Sequence, residues 1–414
     1  MLSRWKWRCE KDAYKTKPLI EYMKSVPDPR CPREKKHDLA EMLTCLVAAY
    51  VSGHTTLRRC VEWCKRKIKL LKKGMKLKNG VPSVATMSRM LSRIDEELFI
   101  CAFAEWIGEI LQTKGQHIAI DGKAIKAAGS KVRGGKTPMI LSAIDAATGI
   151  VIAQLPIQDK ECEITKIPEL LNLFDIRGSI ITIDAIGTQT NIMKQIEESG
   201  GNFLLSVKEN QPGSYTELRQ FFEEAEREYE RAKTIPGYRS AYGDLSAVLD
   251  RITTTEKNRD RYEYRKCIVS WDTSFLSKVE KEWPFIKTIG CLTATRILKV
   301  KDENGEDITP ESEEFRKRGT RRQPKPTTGS SEKNDIEVVG IIANKKMSAQ
   351  DAQKCRRDHW SIENRLHHVL DDTFREDRSP AKGSKNNLAL IRKFAYNILR
   401  IMSMQQSQNR NGQI

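Results

Sequence analysis

The sequence predicts an α/β fold with a helical N-terminal part, because its hydrophobic pattern changes at about residue 116. Before that point apolar residues recur at helical spacing, as in Leu39, Met42, Leu43 and Leu46. After it come short β-rich runs in the order three strands, helix, strand, helix, strand. This is the order of a ribonuclease-H-like core, in which the first and fourth strands lie side by side.

In the N-terminal part, one helix is predicted over 38–52, where Gly53 ends the apolar stripe. The segment 58–78 is rich in Lys and Arg, and a short helix follows Pro82, with Ser83 suited to be its N-cap. Core strands are predicted over 117–121, 139–145, 150–157, 180–184 and 203–208, with helices over 164–174 and 190–198. Beyond the core, an acidic helix is predicted over 214–233, a mobile basic linker over 316–335 and an amphipathic helix over 387–402.

The net charge of the chain indicates what kind of molecule it binds. The chain has 414 residues and carries 72 Lys and Arg against 55 Asp and Glu, a formal net charge of +17. This excess favours a polyanion and above all nucleic acid, although a ribosome-associated or membrane-surface protein stays open as an alternative. No apolar run is long enough to span a membrane, no secretion signal is visible, and the ten cysteines form no CxxC pair. We therefore expect free thiols in a reducing cytoplasm, and we expect Cys60 and Cys64 to lie on one face of a helix instead of binding zinc.

Three acids carry most of the chemical information. Asp121 and Asp184 each end an apolar run, and Glu363 lies at the margin of the core-facing stripe of a helix. Together they make a cage of hard oxygen ligands for two Mg²⁺ or Mn²⁺ ions, as phosphodiester chemistry requires. Each acid also has an explanation without a function. The aspartates can be turn residues that end a strand, and the glutamate can lie on a solvated helix face. Competing acids follow at Asp145, 371–372 and 376–377.

Side chains near these acids complete the predicted site. His359, Trp360, Asn364 and His367 flank Glu363, and we expect them to support it from a second layer. Phosphate contacts are predicted for Lys123 and Lys208, each of which follows an apolar strand. The basic segment and the short helix after it are predicted to bind DNA as a helix-turn-helix. These DNA-binding candidates are Lys123, Lys208, Arg58, Arg59, Lys65, Arg66, Lys67, Ser83, Thr86 and Arg89. An ordinary helical bundle with a solvated basic face remains the alternative for the N-terminal residues.

Several blocks of the chain resemble the H-repeat-associated group of DDE transposases. They are IDGK at 120–123, TIDAIGTQ at 182–189, KENQ at 208–211 and HWSIENRLHHVLD at 359–371, continuing through 374–377. Asp-Pro-Arg at 28–30 and the residues around Ser83 resemble the N-terminal domain associated with that group, and 256–265 resembles a further block. The chain departs from the group's pattern at Arg356, His359, His368 and Asp372, which leaves the three acids intact.

The resemblance implies an insertion-sequence transposase with the acid triad Asp121, Asp184 and Glu363. Its implied partners are double-stranded DNA at the element's ends and at the target, with a homodimer on paired ends and a place at the bacterial nucleoid. A metal-dependent nuclease on the same fold and a non-catalytic DNA-binding protein are the alternative functions. The domains predicted are a helical DNA-end-binding domain over 1–115, the core over 116–211 and 346–404, a β-rich insertion over 212–345, and a disordered tail over 405–414.

Overall fold

The computed structural model describes ten segments of the chain, and the chain divides into two compact units. The described segments are 17–125, 139–157, 162–238, 249–257, 261–278, 282–298, 300–301, 307–308, 335–378 and 384–411. Unit one comprises residues 1–201 and 357–414, and unit two comprises residues 202–356. Most of the predicted linker over 316–335 lies outside the described residues.

The described part of unit one before its sheet contains six α-helices, and four of them start where a side chain caps the first turn. Asp38, Thr56, Ser83 and Asp95 each accept a hydrogen bond from the backbone N–H three residues on, which confirms Ser83 as an N-cap. The helices are α1 (Leu19–Lys24), α2 (Leu39–Val51), α3 (Leu57–Arg66), α4 (Ile68–Leu71), α5 (Val84–Arg93) and α6 (Glu96–Ile110). The basic segment over 58–78 runs through α3 and α4, which meet at Lys67, and continues into the turn after α4.

The sheet of unit one places the first and fourth strands side by side, as predicted. Its strands are β1 (His117–Ala124), β2 (Met139–Asp145), β3 (Val151–Ile157) and β4 (Ile180–Ile183). In the described part of unit one their order is β3-β2-β1-β4, with β1 antiparallel to β2 and parallel to β4. The helices α7 (Glu163–Leu171) and α8 (Thr190–Glu198) flank β4 in the chain, and α7 packs against β2 and β3.

Unit two contains an antiparallel sheet and a long helix. The strands are β5 (Asn202–Val207), β6 (Leu249–Lys257), β7 (Arg261–Ser270), β8 (Thr288–Leu298), β9 (Val300–Lys301), β10 (Asp307–Ile308) and β11 (Asp335–Ala343). Among the described residues of this unit the order β5-β11-β8-β7-β6 is antiparallel throughout, and β9 pairs with β10. The helix α9 (Pro212–Thr234) follows β5, and α10 (Ala349–His359) leads the chain back to unit one.

The last elements of the chain connect the helices of unit one to its sheet. They are a π-helix (Glu363–His367), α11 (His368–Asp372) and α12 (Lys385–Asn411). On α12, the ring of Phe394 lies 4.8 Å from that of Phe103 and 4.9 Å from that of Trp106 in α6. The Asn397 amide bonds both the N–H and the C=O of Val151 in β3, each at 2.9 Å. The first and last parts of the sequence thus share one core.

The prediction of a disordered tail over 405–414 is wrong for the part that the structure describes. The helix α12 continues to Asn411 without a break, and residues 412–414 lie outside the described residues. Gln405, Gln406, Gln408 and Arg410 are good helix formers, and extending an existing helix costs far less than starting one. Polarity alone was therefore a poor indicator of disorder here.

Candidate active site

The two aspartates come together through the pairing of β1 with β4. The register aligns His117 with Ile180 and Ile120 with Ile183, so Asp121 and Asp184 are the next residues on the two neighbouring strands. Asp121 is not the end of its strand, however, since β1 continues to Ala124 by pairing with β2. The chain after Asp184 leaves the sheet in a 3₁₀ turn, so the parallel pairing stops at the level of the two acids.

Glu363 reaches Asp121 from the π-helix near the C-terminal end of the chain. Ile362 and Leu366 are buried on the core side, whereas the Glu363 side chain is 59% exposed. Between the two acids lies His367, whose Nδ1 is 2.8 Å from Glu363 Oε2 and 3.5 Å from Asp121 Oδ2. π-helical turns are rare and concentrate at functional sites. This one presents a carboxylate and an imidazole to the same point on β1.

The geometry of this cluster suits a divalent cation. Ligand atoms of Asp121, Glu363 and His367 all lie within 4.8 Å of one another. Carboxylate oxygens suit Mg²⁺ and Mn²⁺, and an imidazole nitrogen is a common ligand of divalent transition-metal ions. Burial lowers the pKa of His367 even though the hydrogen bond with Glu363 raises it, which favours the neutral imidazole that binds metals. Asp184 is exposed and stands outside this group of three.

The electrostatics of Asp121 also favour a cation beside it. Burial raises the pKa of Asp121 to about 7, against the effect of a hydrogen bond from the Gly122 backbone. The neighbouring carboxylates of Glu163, Glu363 and Asp184 raise it further. Acids crowded in this way repel one another until a cation neutralises them. The residues present therefore fit a metal ion.

His359 contacts the strand that precedes Asp184. Its Nδ1 lies 3.1 Å from the hydroxyl of Thr182, and Nε2 of His117 lies 3.0 Å from the same hydroxyl. Thr182 precedes Asp184 by two residues, so this contact ties the chain ahead of Glu363 to the strand that carries the second acid. Trp360 is 49% exposed and Asn364 is exposed, so neither side chain is enclosed in the core.

A comparison with family models assigns the chain. The model of the Transposase DDE domain matches residues 112–398, which is well over half of the chain and includes all three acids. The chain belongs to the DDE transposase family. The DDE_Tnp_1-associated model matches residues 20–107, the helical part that precedes the sheet.

Relatives of this DDE transposase carry names that agree with the family. YncI of Escherichia coli O157:H7, named as a transposase, is 30% identical over 92% of this chain and 87% of its own length. The H repeat-associated protein YhhI of Escherichia coli K12, also named as a transposase, is 28% identical over 92% of this chain and 90% of its own. The piggyBac transposase synaptic complex with hairpin DNA matches with a TM-score of 0.36 and 11% identity, over 95% of this chain and 74% of that one.

Lys123 of this DDE transposase is engaged inside the protein. Its side chain is 8% exposed, and Nζ lies 2.6 Å from Asp371, 3.4 Å from Glu376 and 3.5 Å from Asp377. Burial works to lower the pKa of Lys123, but these carboxylates outweigh it and the pKa is raised. Asp371, Glu376 and Asp377, three of the acids that compete with Glu363 in the sequence, thus share Lys123 as a partner. The position of Lys123 supports a structural role, in contrast to the phosphate contact predicted for it.

The other DNA-binding candidates lie on the surface of their own units. Lys208 belongs to unit two and lies 3.1 Å from Glu337. In unit one, Ser83 and Thr86 form the first turn of α5, where the Ser83 hydroxyl accepts from the Thr86 N–H. The candidates with exposed basic side chains are Arg58, Arg59, Lys65, Arg66, Lys67 and Arg89. Their role in DNA binding remains a prediction.

Glu163 is an acid near the site to which the sequence did not point. It is the first residue of α7, and the sequence prediction began that helix one residue later. An acid in the first turn of a helix is common because it complements the helix dipole, so its position gave no distinguishing signal. Only the folded chain shows that Glu163 lies beside Asp121 and acts on its pKa.

Lys393 provides a test of the charge network behind the site. It is fully buried on α12, where Nζ donates to the Ser142 hydroxyl at 2.8 Å. Burial lowers the pKa of Lys393 to about 7, so between about pH 7 and 10 the unfolded chain binds this proton more strongly. The free energy of unfolding should therefore rise with pH across this window, by at most about 1.4 kcal/mol per pH unit.

The change Lys393→Met should remove this dependence. We expect urea unfolding at pH 7, 8 and 9 to show a shallower rise in the free energy of unfolding for the variant than for the unchanged protein. Lys69→Met, at an exposed lysine of α4, is the matched control and should keep the original slope. Equal slopes for all three proteins would show that Lys393 does not titrate in this range.

Proposed function

We propose that this protein cuts the ends of an insertion sequence and joins them to target DNA. The observation that carries the proposal is the convergence of Asp121, Glu363 and His367 beside Asp184, within the region that matches the Transposase DDE domain. The strand order β3-β2-β1-β4, with β1 parallel to β4, supports a ribonuclease-H-like core for unit one. The same arrangement supports two-metal-ion chemistry on phosphodiesters.

In this proposal Asp121, Asp184 and Glu363 hold Mg²⁺ or Mn²⁺, with His367 beside them. When bound, such ions activate water and stabilise the charge that develops on the scissile phosphate. The Asp121 carboxylate attracts cations to the end of the β1–β4 pair. The π-helix holds the Glu363 and His367 side chains close to Asp121. The side chains bind and orient, so the reaction needs no covalent bond between protein and DNA.

The positive net charge of the chain and its membership of the DDE transposase family together support DNA as the substrate. The net charge of +17 provides attraction for phosphates at any sequence. No helix among the described residues is long and apolar enough to cross a membrane. Two DNA ends must be cut and joined together, and we therefore include a homodimer in the proposal, acting on nucleoid DNA in a bacterial cytoplasm.

The direct test uses the genomic DNA that flanks the gene. A supercoiled plasmid carrying both flanks is incubated with the full-length protein, and its products are compared with those of a control plasmid without flanks. We expect Mg²⁺-dependent or Mn²⁺-dependent cleavage at inverted repeats, followed by joining to a second plasmid. Cleavage without joined products would identify a nuclease, and binding without cleavage would identify a DNA-binding protein.

The basic helix α3 provides a further prediction. If its exposed face binds phosphates, the combined change of Arg59, Lys65 and Arg66 to Gln should weaken DNA binding and flatten its dependence on salt. The slope of log affinity against log salt should fall by up to about 3, one for each phosphate that the variant no longer neutralises. Filter binding or fluorescence anisotropy over a range of salt concentrations measures this slope.

A matched variant controls for net charge. Arg219, Arg227 and Arg231 on α9 are each paired with a glutamate of the same helix, and their combined change to Gln removes the same number of charges. We expect the salt slope of this control to stay close to that of the unchanged protein. An equal loss in both variants would mean that α3 contributes only general charge.

A further inference from the structure

The turn between β2 and β3, over residues 146–149, binds side chains from the last part of the chain through its backbone. Nη1 of Arg365 donates hydrogen bonds to the first two carbonyl oxygens of the turn, at 3.0 and 2.8 Å. Nε of Arg400 donates to the third at 3.1 Å, and the Tyr396 hydroxyl lies 3.0 Å from the fourth. The fourth residue, Gly149, has a left-handed backbone with a φ of +72°, and a Cβ there would lie 3.3 Å from Cδ of Arg365. Four successive carbonyl groups thus form one acceptor surface, and glycine leaves room for the arginine that uses it.

Arg365 belongs to the same π-helix as Glu363 and is directed away from it. Residues two apart on a helix do not face each other, so Arg365 binds the turn while Glu363 lies beside Asp121. The Tyr396 hydroxyl also lies 2.9 Å from the carbonyl oxygen of Arg365. Both the side chain and the backbone of Arg365 therefore contact parts of the chain outside its own helix.

The position of Glu363 needs contacts of this kind. Its side chain is 59% exposed, and its hydrogen bond to His367 is internal to the π-helix, so that bond does not fix the helix relative to β1. Ile362 and Leu366 are buried, but the hydrophobic effect is non-directional, whereas hydrogen bonds have a defined geometry. π-helical turns are also rare, which indicates that contacts from outside the helix are needed to maintain them.

We infer that Arg365 is a positioning residue, which binds the β2–β3 turn and thereby holds the π-helix where Glu363 meets Asp121. Tyr396 assists by binding the backbone of Arg365 from α12. The inference deepens the proposed function and rests on it, because it takes Glu363 as an acid of the metal centre. Arg365 acts through Glu363 and needs no contact of its own with metal or DNA.

The test measures Mn²⁺ binding to the full-length protein without DNA, from the electron paramagnetic resonance signal of free Mn²⁺. In Arg365→Gln the affinity should fall by at least about 10-fold, the size of effect seen when a group that orients a metal ligand is lost. Tyr396→Phe, which removes only the hydroxyl, should lower the affinity by less. Arg365→Lys keeps a cation that can donate to the turn, so it should bind Mn²⁺ more tightly than Arg365→Gln.

A matched variant separates positioning of the π-helix from stability of the turn. Arg400→Gln removes a guanidinium from the same turn, but this arginine lies on α12 and not on the π-helix. We expect it to bind Mn²⁺ as the unchanged protein does. Circular dichroism and thermal unfolding show that each variant is folded. Arg365 is exposed, so its replacement leaves no cavity in the core.

Hydrogen–deuterium exchange provides a second measurement that needs no metal. The amides of residues 361–368 should exchange faster in Arg365→Gln than in the unchanged protein, because the π-helix has lost its attachment to the turn. In Arg400→Gln the same amides should exchange at the original rate. Mass spectrometry of peptides that cover these residues measures the difference.

The outcomes are distinct from those of the DNA-joining test. Weaker Mn²⁺ binding and faster exchange in Arg365→Gln, both absent from Arg400→Gln, support the inference even if the flanking DNA is never cut. Equal Mn²⁺ affinities in these two variants overturn it, whatever the exchange rates, and leave Arg365 as an ordinary surface contact. An unchanged protein that binds no Mn²⁺ overturns it as well, together with the metal centre on which the proposed function depends.

Discussion

Replacing Asp121 by Asn should abolish DNA cleavage while leaving DNA binding intact or stronger. Ligand atoms of Glu363 and His367 lie within 4.8 Å of the Asp121 carboxylate. Asp184 directly follows β4, the strand that pairs with the strand of Asp121. Its loss should reduce the cleavage rate on the order of 1000-fold or more, as when a preorganised charge-stabilising group is removed. Binding should not suffer, because the change takes away a negative charge that repels phosphates.

The same experiment extends to Asp184→Asn and Glu363→Gln, measured on the flanked plasmid with Mg²⁺ and separately with Mn²⁺. DNA affinity is measured in Ca²⁺, whose looser coordination should support binding but little cutting. Asp145→Asn is a matched control at a strand end, since Asp145 accepts hydrogen bonds from the backbone of its own turn. Near-normal cleavage in any of the three acid variants would remove that residue from the proposed site.

Replacing Glu376 by Gln should destabilise unit one strongly. The Glu376 carboxylate is 1% exposed and lies 3.4 Å from Lys123 and 3.6 Å from Arg392, both of which are also buried. Removing one partner of a buried ion pair leaves an uncompensated charge, at a cost of about 3–5 kcal/mol. Asp371 and Asp377 still neutralise Lys123 in part, so we expect the lower end of this range.

Urea unfolding at neutral pH measures the effect, with Glu169→Gln as the control at an exposed glutamate. The control should unfold within about 0.5 kcal/mol of the unchanged protein, as is usual for surface substitutions. A combined change of Glu376 to Gln and Arg392 to Met should recover part of the loss, because it removes both charges of one pair. A loss below about 1 kcal/mol in Glu376→Gln would show that the network contributes little to stability.

The parts of the site that follow from local pattern were predictable. Asp121 and Asp184 each follow a short apolar run, and the order of strands and helices predicted their adjacency, which the β1–β4 register confirms. Glu363 was identified by its place at the edge of an apolar stripe and by the resemblance of its block. In each case the signal lies within a few residues of the acid itself.

What could not be predicted depends on contacts between distant parts of the chain. Lys123 appears as a free lysine after a strand, but its closest partner, Asp371, is 248 residues away in the sequence. The π-helix at Glu363 continues an ordinary helical pattern, and nothing local distinguishes it. Glu163 has the appearance of a helix-start acid until α7 packs against β2 and β3 and its carboxylate comes next to Gly122. The contacts of Lys123, the π-helical turn at Glu363 and the position of Glu163 all depend on tertiary structure.

The sharing of one core by the two ends of the sequence has a consequence for synthesis on the ribosome. Unit two is continuous in the chain, so all of its residues have emerged before α12 is made. Unit one must wait, because its sheet and first helices are covered by Phe394 and Asn397, which are translated long after those elements. A message interrupted before α12 should therefore yield a chain with an exposed apolar sheet, which aggregates or is degraded. Interrupted copies of this gene should leave no stable DNA-binding fragment to compete with the complete protein.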